Sequence, residues 1–129
     1  MTDVRFQFLL ERAIDSRTKL YILLIFSESP HLEATPAMIV ERCCRDIWSV
    51  RQALKELAED GVLAVSRSVG GEPFYCFQPR PEYAKPIEAL IRSYDDPYER
   101  EVLLRSIHDL SGYAVLRHAS DQWFQAVVG

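Results

Sequence analysis

The sequence lacks a surplus of basic residues and has no long hydrophobic run. Its 15 lysines and arginines are outnumbered by 19 aspartates and glutamates, which gives a formal net charge of −4. This is not the charge expected of a protein that binds nucleic acid over its whole surface. The longest apolar run, Leu20 to Phe26, has 7 residues and is far too short to span a membrane. We therefore expect no membrane contact.

Cysteine is also scarce. Cys43, Cys44 and Cys76 are the 3 cysteines, and an odd number with two adjacent residues is no disulfide framework. No histidine or carboxylate completes a spaced set of metal ligands around them. We expect Cys43 to act as a small apolar residue, and we rank a metal or thiol sensor below that interpretation. No secretory leader pattern is present, and the cysteine usage predicts a reducing, cytoplasmic location.

The motifs of common catalytic and nucleotide-binding sites are missing. The sequence contains no GxGxxG, GxxxxGK[ST], GxSxG or HExxH, so neither a phosphate cradle nor a known hydrolase arrangement is indicated. The acidic pairs near residues 95–101 are explained by helix capping. We expect no enzyme activity, no cofactor and no metal.

What the sequence does contain is a distinctive order of elements between residues 35 and 79. Thr35 and Pro36 predict the start of a short helix. Asp46 is the predicted cap of a second helix, 46–59. The apolar stripe of this second helix consists of Ile47, Val50, Ala53, Leu54 and Leu57.

A β-hairpin follows the second helix. Gly61 stands where a helix typically ends in a left-handed residue. Two alternating stretches, 62–65 and 74–77, flank Gly70-Gly71. This pattern predicts two strands with a glycine turn between them.

Further helices are predicted on both sides of this segment. Apolar spacing favours helices over 4–14, 17–28 and 82–94, a helix that starts at Asp96-Pro97, and short helical pieces over 113–128. We expect a mainly α (α+β) fold with residues 1–80 as one domain and 81–129 as a helical extension. The apolar surplus of these helices favours a homodimer.

The segment from about Leu10 to Phe77 resembles the winged helix-turn-helix transcriptional regulators of the ArsR/MarR type. The stretches that carry the resemblance are LERAIDSRTKLYILLIF, IVERCCRDIWSVRQALKELAEDGVL and VSRSVGGEPFYCFQP. The resemblance implies a winged helix with a two-stranded wing, 62–78, and a recognition helix, 46–59, that enters the major groove of double-stranded DNA.

The resemblance also implies which residues contact DNA. Arginine and glutamine make bidentate contacts to guanine and adenine, and serine and lysine reach phosphates. The candidates lie in the turn, the outward face of the helix and the wing: Arg45, Trp48, Ser49, Arg51, Gln52, Lys55, Arg67 and Ser68. The simpler interpretation of the helix positions is a solvated surface, and that of Trp48 is packing against a neighbouring element.

Two functions therefore stay open at this point. The first is a dimeric DNA-binding transcriptional regulator, tuned by an unidentified effector at residues 81–129. The alternative is a winged helix used as a protein-interaction module, with Trp48 at the centre of the docking surface. The apolar end at Val127-Val128-Gly129 also suggests that the chain is the N-terminal part of a longer protein.

Overall fold

The computed structural model describes residues 6–43 and 45–110 and is mainly helical, with one small antiparallel sheet. This agrees with the predicted α+β class. The helices are α1 (Gln7–Arg12), α2 (Arg17–Glu28), α3 (Pro36–Cys43), α4 (Ile47–Glu59), α5 (Ala84–Asp95) and α6 (97–110), and the strands are β1 (Glu33–Ala34), β2 (Leu63–Val69) and β3 (Glu72–Phe77). A 3-10 turn, Pro81–Tyr83, precedes α5.

The helices begin where short polar side chains accept hydrogen bonds from free backbone N–H groups. Ser16 accepts from the Lys19 N–H at 3.2 Å, and Asp46 accepts from the Ser49 N–H at 2.9 Å. Asp96 caps α6 by accepting from the N–H groups of residues 98 and 99. The predicted starts of α2, α4 and α6 are thus confirmed.

The sheet has the strand order β1-β3-β2, with both pairs antiparallel. Strands β2 and β3 form the predicted hairpin around Gly70 and Gly71, whose φ angles are 59° and 84°. The third strand is a correction to the two-stranded expectation. Glu33 and Ala34 pair with Cys76 and Tyr75 of β3, and two residues are too few to show an alternating pattern in the sequence.

Gly61 closes α4 and starts the hairpin with a φ of 87°, in the left-handed region. Its carbonyl accepts a hydrogen bond from the Arg80 N–H at 2.8 Å, so the chain leaving β3 returns to this turn. A Cβ at position 61 would collide with the Arg80 side chain. Both conditions require glycine here.

Helix α2 lies at the centre of the core. Its apolar residues Leu20, Ile22, Leu23 and Phe26 are fully buried. The same core includes Leu9 and Leu10 of α1, Val50, Leu54 and Leu57 of α4, Ile87 and Leu90 of α5, and Leu103 and Ile107 of α6. The predicted division of the chain at residue 80 stays a prediction.

Other predicted features differ in extent or lie elsewhere. Helix α1 comprises Gln7–Arg12 and ends before the predicted 14, although Ala13 and Ile14 beyond it are buried. Residues 4 and 5 of the predicted helix lie outside the described residues. The short helical pieces predicted over 113–128 lie outside the described residues. In the described ranges, no helix has both the length and the apolar character needed to cross a membrane.

Candidate nucleic-acid interface

Helix α4 presents one apolar and one polar face. Val50, Leu54 and Leu57 are fully buried, and Ala53 is nearly so. The opposite face is exposed and contains the five helix residues singled out from the sequence: Trp48, Ser49, Arg51, Gln52 and Lys55. Helix α4 therefore packs on the core through its apolar stripe, and its polar side chains lie at the surface.

The start of α4 is organised by Asp46. Its carboxylate accepts both the Ser49 N–H and, at 2.7 Å, the Ser49 hydroxyl. The backbone hydrogen bond from Ser49, followed by the hydroxyl bond, lowers the pKa of Asp46 below its ordinary value. The Ser49 hydroxyl is thus already engaged. Arg45, just before the cap, has its guanidinium carbon 5.2 Å from the centre of the Tyr21 ring, within cation–π range.

Two residues of the exposed face stand apart from these contacts. Trp48 is 78% exposed, so the interpretation in which it packs against a neighbouring element is wrong. Lys55 is exposed and has no ion-pair partner in the described part of the chain. A large aromatic ring and a free ammonium group are therefore available on α4.

Arg51 links α4 to the hairpin. Its guanidinium donates to the Glu72 carboxylate at 3.2 Å, with both side chains just under half exposed. The same charged groups affect the pKa of Tyr75 in β3. Burial raises the pKa of the Tyr75 hydroxyl, Arg51 opposes that shift, and Glu59 and Glu72 add to it. Arg51 was expected from the sequence to contact a DNA base, and nothing in the sequence indicated Glu72 as its internal partner.

Polar residues of the hairpin also have internal partners, as Arg51 does. The Arg67 guanidinium carbon lies 4.2 Å from the centre of the Phe74 ring, and its Nε is 3.8 Å from a Glu33 carboxylate oxygen. The Ser66 hydroxyl donates to the same Glu33 oxygen at 2.6 Å. Ser68, the other predicted contact, is exposed on β2. The short strand β1 thus supplies a carboxylate to the hairpin.

A buried cluster of charged residues lies behind α4. The Lys19 ammonium group donates to Asp15 at 2.8 Å and to Glu56 at 3.0 Å, and these three side chains are 4%, 3% and 10% exposed. The other Glu56 oxygen accepts from the Gln52 amide at 2.8 Å. The cluster joins the start of α2 to the exposed face of α4.

This cluster could not be predicted from the sequence. The only local signal was the spacing of four residues between Asp15 and Lys19, which places the two side chains on adjacent turns. Glu56 is 37 residues from Lys19, and its position on α4 resembles a solvated charge. Its burial follows from the packing of α4 on α2.

The surface around α4 and the hairpin has charges of both signs. Four cationic side chains are present, on Arg45, Arg51, Lys55 and Arg67. Apart from Glu56, which is buried against Lys19, the carboxylates are those of Glu33, Asp46, Glu59, Asp60 and Glu72. The candidate surface therefore has no basic excess. Any attraction to a polyanion must come from a local arrangement of charges.

The described cysteines add no metal chemistry. Cys43 and Cys76 are free and half-buried. Within residues 6–43 and 45–110, no group of three or more histidine, cysteine, aspartate or glutamate side chains is placed to hold a metal ion. Cys44 lies outside the described residues.

Comparison with known proteins adds no family. No protein-family model, no curated protein and no solved structure matches this chain. Its function must therefore be inferred from the arrangement of its own residues.

Proposed function

We propose that the chain is a winged-helix DNA-binding protein that regulates transcription in the cytoplasm. The observation that supports this most is the exposed polar face of α4 beside a hairpin that contacts it through Arg51 and Glu72. The element order α2-β1-α3-α4-β2-β3 and the strand order β1-β3-β2 suit a winged helix. In this proposal α4 is the recognition helix and the hairpin is the wing.

The side chains then divide into two roles. Gln52 and Arg51 are suited to base edges in the major groove, and Trp48 to the methyl group of thymine. The phosphate backbone can be contacted by Lys55, Arg45 and the wing residues Arg67 and Ser68. Such contacts position the protein on the duplex but do not distinguish one base sequence from another. Ser49 is bonded to Asp46 and contributes mainly through the start of the helix.

A homodimer belongs to the same proposal. Two-fold symmetry would place two recognition helices about one DNA turn apart. The proposed dimer contact is formed by the N-terminal helix and the helices after residue 80. Sedimentation velocity at micromolar concentration should give a single dimeric species, and a monodisperse monomer would remove this part of the proposal.

The DNA-binding proposal is tested by fluorescence anisotropy on a labelled duplex of mixed sequence at several salt concentrations. Binding should weaken as salt increases, with a slope set by the few phosphate contacts of this surface. Lys55→Ala should reduce the slope of log K against log salt by about one unit, since one phosphate contact is lost. Lys85→Ala, an exposed lysine on α5, makes the same change in net charge and should leave the slope unchanged.

Two results of this experiment would contradict different parts of the DNA-binding proposal. No binding at low salt by the folded wild type would refute DNA binding. Equal slopes for the Lys55→Ala and Lys85→Ala variants would remove α4 from the contact surface while leaving binding by another surface.

A protein-interaction module remains the second candidate because of one observation. Trp48 is 78% exposed, and exposed tryptophans are frequent hot spots of protein interfaces. The Trp123→Phe variant leaves Trp48 as the single tryptophan, since the sequence has 2. The fluorescence emission of Trp48 should change when duplex is added if α4 enters the major groove. Unchanged emission at saturating duplex would favour the interaction module.

A further inference from the structure

We propose that the buried pair Lys19–Glu56 fixes the orientation of the Gln52 amide and makes Gln52 a specificity-determining residue for adenine over guanine. The inference rests on the proposed DNA-binding function. It goes beyond that function because it assigns a base preference to one side chain.

The first step concerns the charge of Glu56. Its carboxylate lies 3.0 Å from the Lys19 ammonium group, and both side chains are at least nine-tenths buried. An ammonium group at this distance favours the ionised form of the acid. An ionised carboxylate has no proton to donate and only accepts hydrogen bonds.

The second step concerns Gln52. Its amide is bonded to the second oxygen of Glu56 over 2.8 Å. The amide nitrogen must face Glu56, because the amide oxygen would meet another acceptor there. Rotation of the amide by half a turn would lose this bond and bring two oxygen atoms together. The carbonyl oxygen of Gln52 therefore faces away from Glu56.

The third step places this oxygen on the candidate interface. Gln52 is exposed, one helical turn after Trp48 and three residues before Lys55. The group it presents to a ligand consists of the amide oxygen and the remaining N–H. Adenine offers the complementary pair in the major groove, an N6 amino donor and the N7 acceptor.

Guanine is disfavoured by the same geometry. It presents two acceptors, N7 and O6, in the major groove. The outward oxygen of Gln52 would face O6 without a proton between them. An unconstrained glutamine would avoid this conflict by rotating its amide, and the bond to Glu56 prevents that rotation.

The experiment is selection from a random-sequence duplex library with wild type, Gln52→Ala, Glu56→Gln and Lys55→Ala. Wild type should enrich a motif with adenine at one position by about tenfold over guanine, the discrimination expected of one bidentate contact. Gln52→Ala should abolish the preference at that position only. Gln52 is exposed, so this variant should fold.

Glu56→Gln tests the orientation itself. In this variant the amide oxygen at position 56 faces the Lys19 ammonium group, which only donates, so the amide nitrogen faces Gln52. The Gln52 amide should then turn its oxygen inward and its N–H groups outward, and the preference should move from adenine towards guanine. Lys19 keeps Asp15 as a partner in this variant. Lys55→Ala should weaken binding to all selected sequences about equally and leave the motif unchanged.

The possible failures are distinguishable. An enriched motif that is identical in wild type and Gln52→Ala would overturn the specificity inference while leaving DNA binding intact. A guanine preference that depends on Gln52 would overturn the assigned orientation. No enrichment and no binding by wild type would overturn both proposals.

A second measurement does not require DNA. In the free protein, the side-chain NH₂ resonances of Gln52 should show restricted motion, because one N–H is bonded to a buried carboxylate. Glu56→Gln should shift these resonances and increase their mobility. A fully mobile Gln52 amide in the wild type would overturn the inference.

Discussion

Replacement of Lys19 with methionine tests the buried cluster most directly. The Lys19 ammonium group lies between Asp15, at 2.8 Å, and Glu56, at 3.0 Å, and its side chain is 4% exposed. Methionine retains an unbranched apolar side chain of similar length and removes the charge. The variant would leave two carboxylates in the interior without the cation that they share.

The expected effect is large. Removal of one partner of a buried ion pair costs about 3–5 kcal/mol, because the remaining charge is left uncompensated. The Lys19 ammonium group contacts both carboxylates, so we expect a loss within this range, about 3–5 kcal/mol of the free energy of unfolding. For a chain of this length, that corresponds to a decrease in Tm of roughly 10–25 °C.

Urea unfolding followed by circular dichroism measures this loss. Lys85→Met changes an exposed lysine of α5 and should stay within about 0.5 kcal/mol of the wild type. Glu56→Gln keeps the Lys19–Asp15 pair and should cost only about 1–2 kcal/mol. A loss below about 1 kcal/mol for Lys19→Met would refute the reasoning, since it would mean that the cluster is hydrated in solution.

Three further predictions concern α4 and the hairpin. Gly61→Ala should cost about 1–2 kcal/mol in urea unfolding from its positive φ and more from the collision at its Cβ. Gly70→Ala meets open space and should cost less; equal costs would contradict the packing argument. Hydrogen bonds from the backbone lower the pKa of Asp46 below 3.8, so its contribution to stability is present above that value and lost as pH falls through the folded pKa. Asp46→Asn should flatten the pH dependence of stability below about pH 4, and an unchanged acid titration would count against this. Glu72→Gln removes a negative charge from the surface and should tighten binding to a mixed-sequence duplex about two- to fivefold at low salt, and weaker binding would contradict this.

The parts of the fold that could be predicted from sequence are those set by neighbouring residues. Ser16, Asp46 and Asp96 each accept a hydrogen bond from an N–H within three residues, so the signal for a helix start is local. The apolar stripe of α4 and the glycine turn of the hairpin are local in the same sense. Strand β1 could not be predicted, because its two residues become a strand only through pairing with β3.

The candidate site was predicted less completely, for a related reason. The exposed positions of α4 follow from its apolar stripe, and Trp48 and Lys55 are exposed as their position suggests. The partner of Arg51 is 21 residues away in the sequence, and that of Lys19 on α4 is 37 residues away. Such pairs are created by the packing of elements and leave no periodic pattern in the chain.

The carboxylates that hold the polar side chains also determine what kind of DNA binding this surface could support. Asp46 holds Ser49, Glu56 holds Gln52 and Glu72 holds Arg51. Side chains that are already ordered lose less conformational entropy on binding, which favours a geometrically selective contact.

The same carboxylates oppose general attraction to DNA. They neutralise the cationic side chains around α4. Non-specific binding, which depends on phosphate contacts, would therefore release few of the counterions condensed on DNA. For the proposed regulator, this predicts a small salt slope and weak non-specific affinity, with most of the discrimination supplied by base contacts such as that of Gln52. A regulator with a basic recognition surface would show the opposite balance, with strong non-specific binding at low salt and a steep slope.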